Sequence, residues 1–244
     1  MFSPDVIALK QFYDTPLGER ARGLIAESIR RLWPDVSGDT LLGIGYPLPF
    51  MERYMDQAAP ALVCMPAGQG AIYWPPTRAN RVFMAHEAEL PLQENSINRI
   101  LLVHSVEHSE QLSWMMQDIS RVLAPGGRVL AVVPNRMGAW SRSSRSPFGH
   151  GRPFSMAQLR DLFEEHQLTI TRSGSALFMP PTRLNFLWKC AHNLESVGKL
   201  CFRFIGGVLL IEAQKQIFAD MRQPVVEKKR YRVPLGATKP VLSR

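Results

Sequence analysis

Cysteine is scarce in this sequence, which has three cysteines among 244 residues. Cys64, Cys190 and Cys201 are widely spaced, so they form neither a disulfide framework nor a metal-ligand pattern. Long apolar runs are also lacking: the most apolar late stretch, residues 201–211, contains Arg203 and is too short to span a bilayer. The first residues have no apolar core of a signal peptide. We therefore expect a protein of the reducing cytoplasm, without a membrane partner.

Acidic residues are fewer than basic residues, and the formal net charge is +8. The tail after residue 223 has six basic residues and one acid, so it accounts for five of the eight net positive charges. A short basic tail is more often a solvated, disordered end than a nucleic-acid-binding arm. We therefore predict that residues 220–244 are a basic disordered tail, and we rank RNA binding third among the functions.

The N-terminal part of the chain predicts a helical cover over residues 1–34. Thr15 is suited to cap a helix, Pro16 to occupy its first position, and Trp33 followed by Pro34 to end it. Five short apolar runs then alternate with segments of helical length, as in βαβ units. The runs are residues 41–44, 61–65, 81–85, 100–103 and 129–133.

The second half of the chain continues this pattern. Residues 112–123 have the clearest helical spacing, and Pro125-Gly126-Gly127 follows them. Ser155 is placed to cap another helix that reaches His166. Strands are predicted at 168–172 and 208–213, with a helical insert at 183–206 between them. The sequence predicts an α/β, doubly wound, Rossmann-like single domain over residues 1–219.

Residues 90–133 resemble class I S-adenosylmethionine (SAM)-dependent methyltransferases. Leu90-Pro91-Leu92, then Asn95-Ser96 and the run from Ile100 to His104, are similar to one signature segment of that family. Val106-Glu107-His108 resembles its turn after the fourth strand, and residues 121–128, RVLAPGGR, resemble its signature before the fifth. The resemblance implies a mostly parallel seven-stranded sheet with helices on both faces, one reversed strand near the end, and a cofactor at the carboxyl ends of the strands.

The expected cofactor loop departs from the family pattern. Members usually end the first strand with an acid and a Gly-x-Gly-x-Gly turn. Here Gly43 stands in place of the acid, Gly45 remains, and Pro47 and Pro49 replace glycines. The second strand ends at Met65-Pro66 without an acid to hold ribose. The resemblance implies SAM as cofactor, and the residues assigned to its pocket are Gly43, Gly45, Tyr46, Pro66, Glu87, Ala88 and His104.

Histidine supplies the candidate acid–base group. His108 follows the fourth strand, at the mouth of the family's active site, and is the preferred base; the alternative is that it caps the next helix or orders the loop. His104 through His108 also fits an H-x-x-E-H zinc-peptidase string. That chemistry needs both histidines on one helix, whereas a strand end and a turn are expected here. The match is therefore taken as accidental, and no metal site is predicted.

The polar stretch from residue 135 to 153 contains four arginines and no acid. Because it follows the fifth strand, it would border the acceptor site, where arginines bind a carboxylate or phosphate in bidentate fashion. Asn135, Arg136, Arg145 and Arg152 are the candidate substrate residues. His150, flanked by glycines, is a candidate catalytic residue on a movable lid. The alternative is a solvated basic loop pinned to the core by its aromatic residues.

Three functions follow from these patterns. The first is a SAM-dependent methyltransferase that acts on a small-molecule or protein acceptor, with an anionic acceptor favoured by the arginines. The second is a pseudoenzyme, a methyltransferase fold that binds or regulates a protein partner, which Pro47, Pro49 and the missing acids favour. RNA binding is the third. The sequence favours the enzyme.

Overall fold

The computed structural model describes residues 5–182 and 205–216. Seven strands form a single sheet in the order β3-β2-β1-β4-β5-β7-β6. The first five strands are parallel, and β7 is antiparallel to both β5 and β6. The strands are β1 Leu41–Gly45, β2 Ala61–Pro66, β3 Val82–Ala85, β4 Ile97–Val103, β5 Leu123–Pro134, β6 Leu168–Ala176 and β7 Val208–Lys215. The seven-stranded, mostly parallel sheet predicted from the resemblance is confirmed, including its reversed strand.

Helices cover both faces of the sheet. They are α1 Val6–Tyr13, α2 Pro16–Leu32, α3 Leu48–Met51, α4 Leu112–Val122 and α5 Met156–Glu165. In the described part of the chain, 3-10 turns lie at Glu52–Tyr54, Trp140–Arg142 and Pro147–Gly149. Within the described ranges, no helix is both long enough and apolar enough to cross a membrane.

The core has two layers because successive strand residues point to opposite faces of the sheet. In β4, Leu101 packs with α2 residues such as Ile25 on one face. Leu102 packs with Met115 of α4 and Phe163 of α5 on the other. Both faces of the central strands are therefore buried, which explains why their sequences are almost continuously apolar.

The regular alternation of strands and helices fails at one side of the sheet. No α-helix lies between β2 and β3 or between β3 and β4, although both connections are fully described. Pro75 and Pro76 break any helix in the first connection, since proline lacks an N–H donor. The side chain of Asn80 instead closes a turn there by accepting a hydrogen bond from the backbone of Trp74. The prediction of helix-length crossovers is wrong for these two connections.

Two helices, not one, form the N-terminal cover. Asp5 caps α1 by accepting a 2.7 Å hydrogen bond from the backbone N–H of Ala8. The Thr15 side chain caps α2 by accepting from the Gly18 N–H at 3.0 Å, as the sequence predicts. The predicted helical insert at 183–206 lies outside the described residues except at its last two positions. The predicted tail lies wholly outside them.

The N-terminus of α5 has a complete capping box. The Ser155 hydroxyl accepts from the Gln158 backbone, and the Gln158 side chain accepts from the Ser155 backbone. We expect Ser155→Ala to lower the free energy of unfolding by about 1 kcal/mol, because one N–H of the first turn loses its partner. Urea unfolding followed by circular dichroism measures this change. Ser144→Ala, in an exposed loop, is the control, and an equal loss in both variants would contradict the capping role.

Candidate active site

A cavity of about 510 Å³ lies beyond the carboxyl ends of β2, β3 and β4. This is next to the point where the chain reverses its direction of progress across the sheet, and in open α/β sheets ligands bind there. The volume is within the range of small-molecule sites. The lining residues are Asp5, Pro66, Ala67, Gly68, Gln69, His86, Glu87, His104, Ser105, His108, Glu110 and Gln111.

The loop after β1 is joined to β4 instead of bordering the cavity. Gly45 has a φ of +89°, and a Cβ at this position would lie 2.2 Å from the carbonyl oxygen of Val103. The backbone N–H of Tyr46 donates to that same oxygen at 2.8 Å. The donor of Tyr46 is therefore already used, and the glycine permits two strands to approach closely.

The two prolines of this loop close the end of β1. The ring of Pro47 occupies the space that a Cβ at Gly43 would take, at 2.4 Å from Pro47 Cγ. Pro49 then lies in the first turn of α3, where its missing N–H is not needed. The prolines thus convert a glycine-rich ligand loop into a short helix packed against the strand.

An aromatic cluster covers the same loop. The rings of Tyr13 and Tyr46 stack with centroids 5.9 Å apart, and Phe50 packs edge-on against Tyr13. Burial raises the pKa of the Tyr46 hydroxyl to about 12, so this phenol stays neutral. The side of the site nearest β1 is therefore apolar and closed by α1.

The sequence-predicted cofactor residues divide into two groups. Pro66, Glu87 and His104 line the cavity. Gly43, Gly45, Tyr46 and Ala88 do not line it; the first three belong to the packed end of β1. The backbone N–H of Ala88 donates to the Nδ1 atom of His86 at 3.3 Å. The cavity thus lies at the edge of the sheet that the family pattern indicates, but toward β2 and β3.

Glu87 organises the far wall of the cavity. One of its carboxylate oxygens, Oε1, accepts hydrogen bonds from the Ser109 hydroxyl and from the backbone N–H groups of Glu110 and Gln111, at 3.0 to 3.1 Å. These bonds fix the segment that leads into α4. Glu87 therefore holds the wall together while it lines the cavity.

Asp5 is the functional candidate that the sequence analysis missed. It lines the cavity from the start of α1, and the backbone N–H of the next residue, Val6, donates to the carbonyl of Gln69 at 2.9 Å. Asp5, at the start of α1, is thereby held near the end of β2, which has no acidic residue. Only the tertiary contact of α1 with the segment after β2 brings it there.

A buried hydrogen-bonded chain lies under the cavity. The hydroxyl of Tyr13 and the Nε2 atom of His104 are 2.9 Å apart, and the Nδ1 atom of His104 is 3.2 Å from the Oε1 atom of Glu107. Burial opposes ionisation of Glu107, yet the hydrogen bond from His104 and the two neighbouring imidazoles hold its pKa below the usual value. Burial lowers the pKa of His108, and the charge of Glu107 opposes that effect.

Several buried polar atoms at the cavity have no hydrogen-bond partner among the described residues. They include Oε1 of Gln69, Oγ of Ser105 and Nε2 of His108. Buried polar groups are nearly always paired in native proteins, so unpaired atoms that line a cavity indicate a polar ligand or ordered water. Together with the carboxylates of Asp5 and Glu87, these groups fit a ligand with hydroxyl and amine groups, such as an adenosine moiety.

The loop after β5 packs directly against the turn after β4. The backbone N–H of Arg152 donates to the carbonyl of Glu107 at 2.8 Å. Gly151 has a φ of +80°, and a Cβ there would lie 2.9 Å from the His108 ring. Phe148 packs on His104 with centroids 4.9 Å apart. The loop thus forms one wall around His104 and His108.

The polar residues of this loop have different surroundings. Asn135 is buried, and its side chain donates to the Gly206 carbonyl and accepts from the Met137 N–H, so it holds the turn after β5. Arg136, Arg145, Arg152 and His150 are exposed. His150 lies 3.3 Å from the Ser144 carbonyl and does not line the cavity.

A family model of methyltransferase domains matches residues 17–173 of this chain. The match covers more than half of the sequence, from α2 through most of β6. No curated protein sequence matches the chain.

Solved structures share the fold at low sequence identity. A SAM-dependent methyltransferase from Thermotoga maritima has a TM-score of 0.63 and 15% identity, with 86% of this chain and 96% of that chain covered. One from Archaeoglobus fulgidus has a TM-score of 0.56 and 15% identity, with coverage of 86% and 98%. For 1,6-didemethyltoxoflavin-N1-methyltransferase from Burkholderia thailandensis, with bound S-adenosylhomocysteine, the values are 0.55, 15%, 87% and 85%.

Proposed function

Since the chain belongs to the methyltransferase-domain family, we propose that it transfers a methyl group from SAM to an anionic acceptor that approaches from the loop after β5. The observation that carries this proposal is the cavity at the carboxyl ends of β2, β3 and β4, with unpaired buried polar atoms in its wall and an acid at its rim.

The adenosine part of the cofactor would be held by groups other than the usual loop. Asp5 would bind the ribose hydroxyls from the start of α1, because it lines the cavity together with Pro66 at the end of β2. Oε1 of Gln69 and Oγ of Ser105 supply further hydrogen-bonding positions. The N–H donor of Tyr46 takes no part, since it is bonded to β4.

Bound SAM supplies an electrophilic methyl group on a sulfonium, which is a good leaving group. The protein therefore has to align the acceptor and exclude water more than it has to activate either partner. Tyr13 and Phe148 pack against the His104 ring, and Tyr46 stacks on Tyr13, so aromatic rings help to exclude water from that part of the site.

The acceptor would be recognised by arginine. Arg152 is exposed, and its backbone N–H is bonded to the carbonyl of Glu107, in the turn that contains His108. Arg136 and Arg145 belong to the same loop, and no acid in the described residues forms an ion pair with any of the three. Unpaired guanidinium groups are suited to bind a carboxylate or phosphate.

A methyl-transfer assay tests this function. The purified protein is incubated with SAM carrying a labelled methyl group and with pairs of small acceptors that differ only in a carboxylate or phosphate against its neutral amide or ester. We expect label to pass to the anionic member of a pair and S-adenosylhomocysteine to form in equal amount. Equal labelling of both members would contradict recognition by arginine, while leaving methyl transfer itself intact.

Removal of Arg152 should weaken acceptor binding. We expect Arg152→Ala to raise KM for an anionic acceptor about fivefold with little change in kcat, because an exposed ion pair contributes about 1 kcal/mol. Arg160→Ala, on the exposed face of α5, is the control and should behave like the unmodified protein. A lowered melting temperature in Arg152→Ala with unchanged KM would mean that the side chain is structural.

A further inference from the structure

We propose that His104, Glu107 and His108 form a binding site for a divalent transition-metal ion, with zinc as the ion of choice, at the inner wall of the cavity. Each residue offers one ligand atom, and the three atoms lie within 4.8 Å of one another. The proposal does not depend on which cofactor or acceptor the cavity binds, since it is argued from the three side chains and their surroundings.

The H-x-x-E-H match at residues 104–108 was taken as accidental because its two histidines are not expected on one helix. The structure brings them together by another route. β4 ends at Val103, His104 follows with a φ of +51°, and a tight turn closed by the hydrogen bond from the His108 N–H to the Ser105 carbonyl returns the chain. The turn thus brings His104 close to Glu107 and His108, which follow it by three and four residues, as a turn of helix would.

The distances fit coordination. Nδ1 of His104 and Oε1 of Glu107 are 3.2 Å apart. Two ligands bonded to one tetrahedral zinc ion at the usual lengths are separated by about 3.4 Å. Two histidines and one glutamate are also a ligand set of catalytic zinc sites, in which the fourth position is open.

The charge balance favours a cation. Glu107 is 1% exposed, and its only ion pair among the described residues is with His104, which is charged only when protonated. A buried carboxylate without a permanent cation is costly. Its second oxygen, Oε2, has no hydrogen-bond partner in the described part of the chain, and the same is true of Nε2 of His108. A divalent ion would balance the charge of Glu107 and would provide a partner for Oε2 of Glu107 and Nε2 of His108.

The groups around the three proposed ligands include a hydrogen-bond partner of the kind that orients metal-bound histidines. Metal-bound histidines usually give their second ring nitrogen to a hydrogen-bond partner that fixes the ring. Nε2 of His104 has such a partner in the hydroxyl of Tyr13. His104 and His108 both line the cavity, so an ion held by them would lie at its wall. In this assignment His108 is a metal ligand instead of a base.

Zinc titration of the chelator-stripped full chain tests the site. We expect one zinc ion per chain with submicromolar Kd in competition with a chromophoric chelator, and a visible absorption band of tetrahedral type when cobalt(II) is added instead. His108→Ala should weaken binding at least 100-fold and abolish the cobalt band. His166→Ala, which removes a histidine outside the cavity, should leave both unchanged. Tyr13→Phe should weaken zinc binding about tenfold through the outer shell.

Folding is monitored in parallel by circular dichroism, and zinc should raise the melting temperature of the unmodified chain but not of His108→Ala. Equal zinc affinity in the two proteins would overturn the proposal, and so would binding weaker than millimolar in the unmodified chain. Binding of S-adenosylhomocysteine to the stripped chain is measured separately, so that failure of the metal site and failure of the cofactor site are distinguished.

Discussion

Gly45→Ala is expected to lower the free energy of unfolding by about 3 kcal/mol or more, even with no ligand present. Position 45 has a φ of +89°, which an L-residue adopts at a cost of about 1–2 kcal/mol. The added Cβ would also lie 2.2 Å from the Val103 carbonyl oxygen, in the backbone of a central strand that has little freedom to move. Denaturant unfolding of the ligand-free protein measures the effect.

Gly38→Ala is the matched control for this variant. Gly38 has a φ of +79°, but nothing lies within 4 Å of the position that its Cβ would take. We expect this control to lose only about 1 kcal/mol. If both variants lower the free energy of unfolding by the same amount, the loop after β1 is not tightly packed against β4. In that case the glycine serves a ligand, as in the usual cofactor loop of the family.

Asp5→Asn is expected to weaken binding of S-adenosylhomocysteine at least tenfold. A hydrogen bond to a charged group contributes about 1.5–3 kcal/mol, and Asp5 lines the cavity together with Pro66 at the end of β2. Asparagine is as good an N-cap as aspartate, so α1 should keep its start while the charge is lost. Calorimetric titration measures the affinity, and thermal unfolding checks that the fold is unchanged.

Asp14→Asn is the matched control, because Asp14 is an exposed acid at the other end of α1 and does not line the cavity. It should bind S-adenosylhomocysteine as the unmodified protein does. Equal affinity in Asp5→Asn and in the unmodified protein would remove Asp5 from the cofactor site. The ribose would then have to be held by the wall formed by Gln69 and Glu87.

Most of the fold was predictable because local patterns and the family signature agree. The apolar runs match β1 to β5, and Ser155 caps α5 as expected. The exceptions lie where loops are held by tertiary contacts. The connections on either side of β3 have no helix, and in the first of them two prolines and a turn closed by Asn80 decide the path. The separate helix α1 was also missed, and its position depends on contacts with the segment after β2.

Of the candidate site, the sequence indicated only the edge of the sheet where the cavity lies. The family resemblance led to the carboxyl edge of the sheet, and Pro66, Glu87, His104 and His108 do line the cavity there. Asp5 could not be found this way, because it reaches the cavity from a distant part of the chain. The meeting of His104, Glu107 and His108 was missed for a different reason: a helix was taken as the only way to bring such residues together.

We propose that this methyltransferase domain, with its closed glycine loop, holds its cofactor in the neighbouring cavity. Calorimetric titration of the purified full chain with SAM and with S-adenosylhomocysteine tests it most directly. We expect one binding site with Kd in the micromolar range for both ligands, and a rise in melting temperature on binding. No heat and no thermal shift at millimolar ligand would contradict it, and would favour a methyltransferase fold that has lost its cofactor.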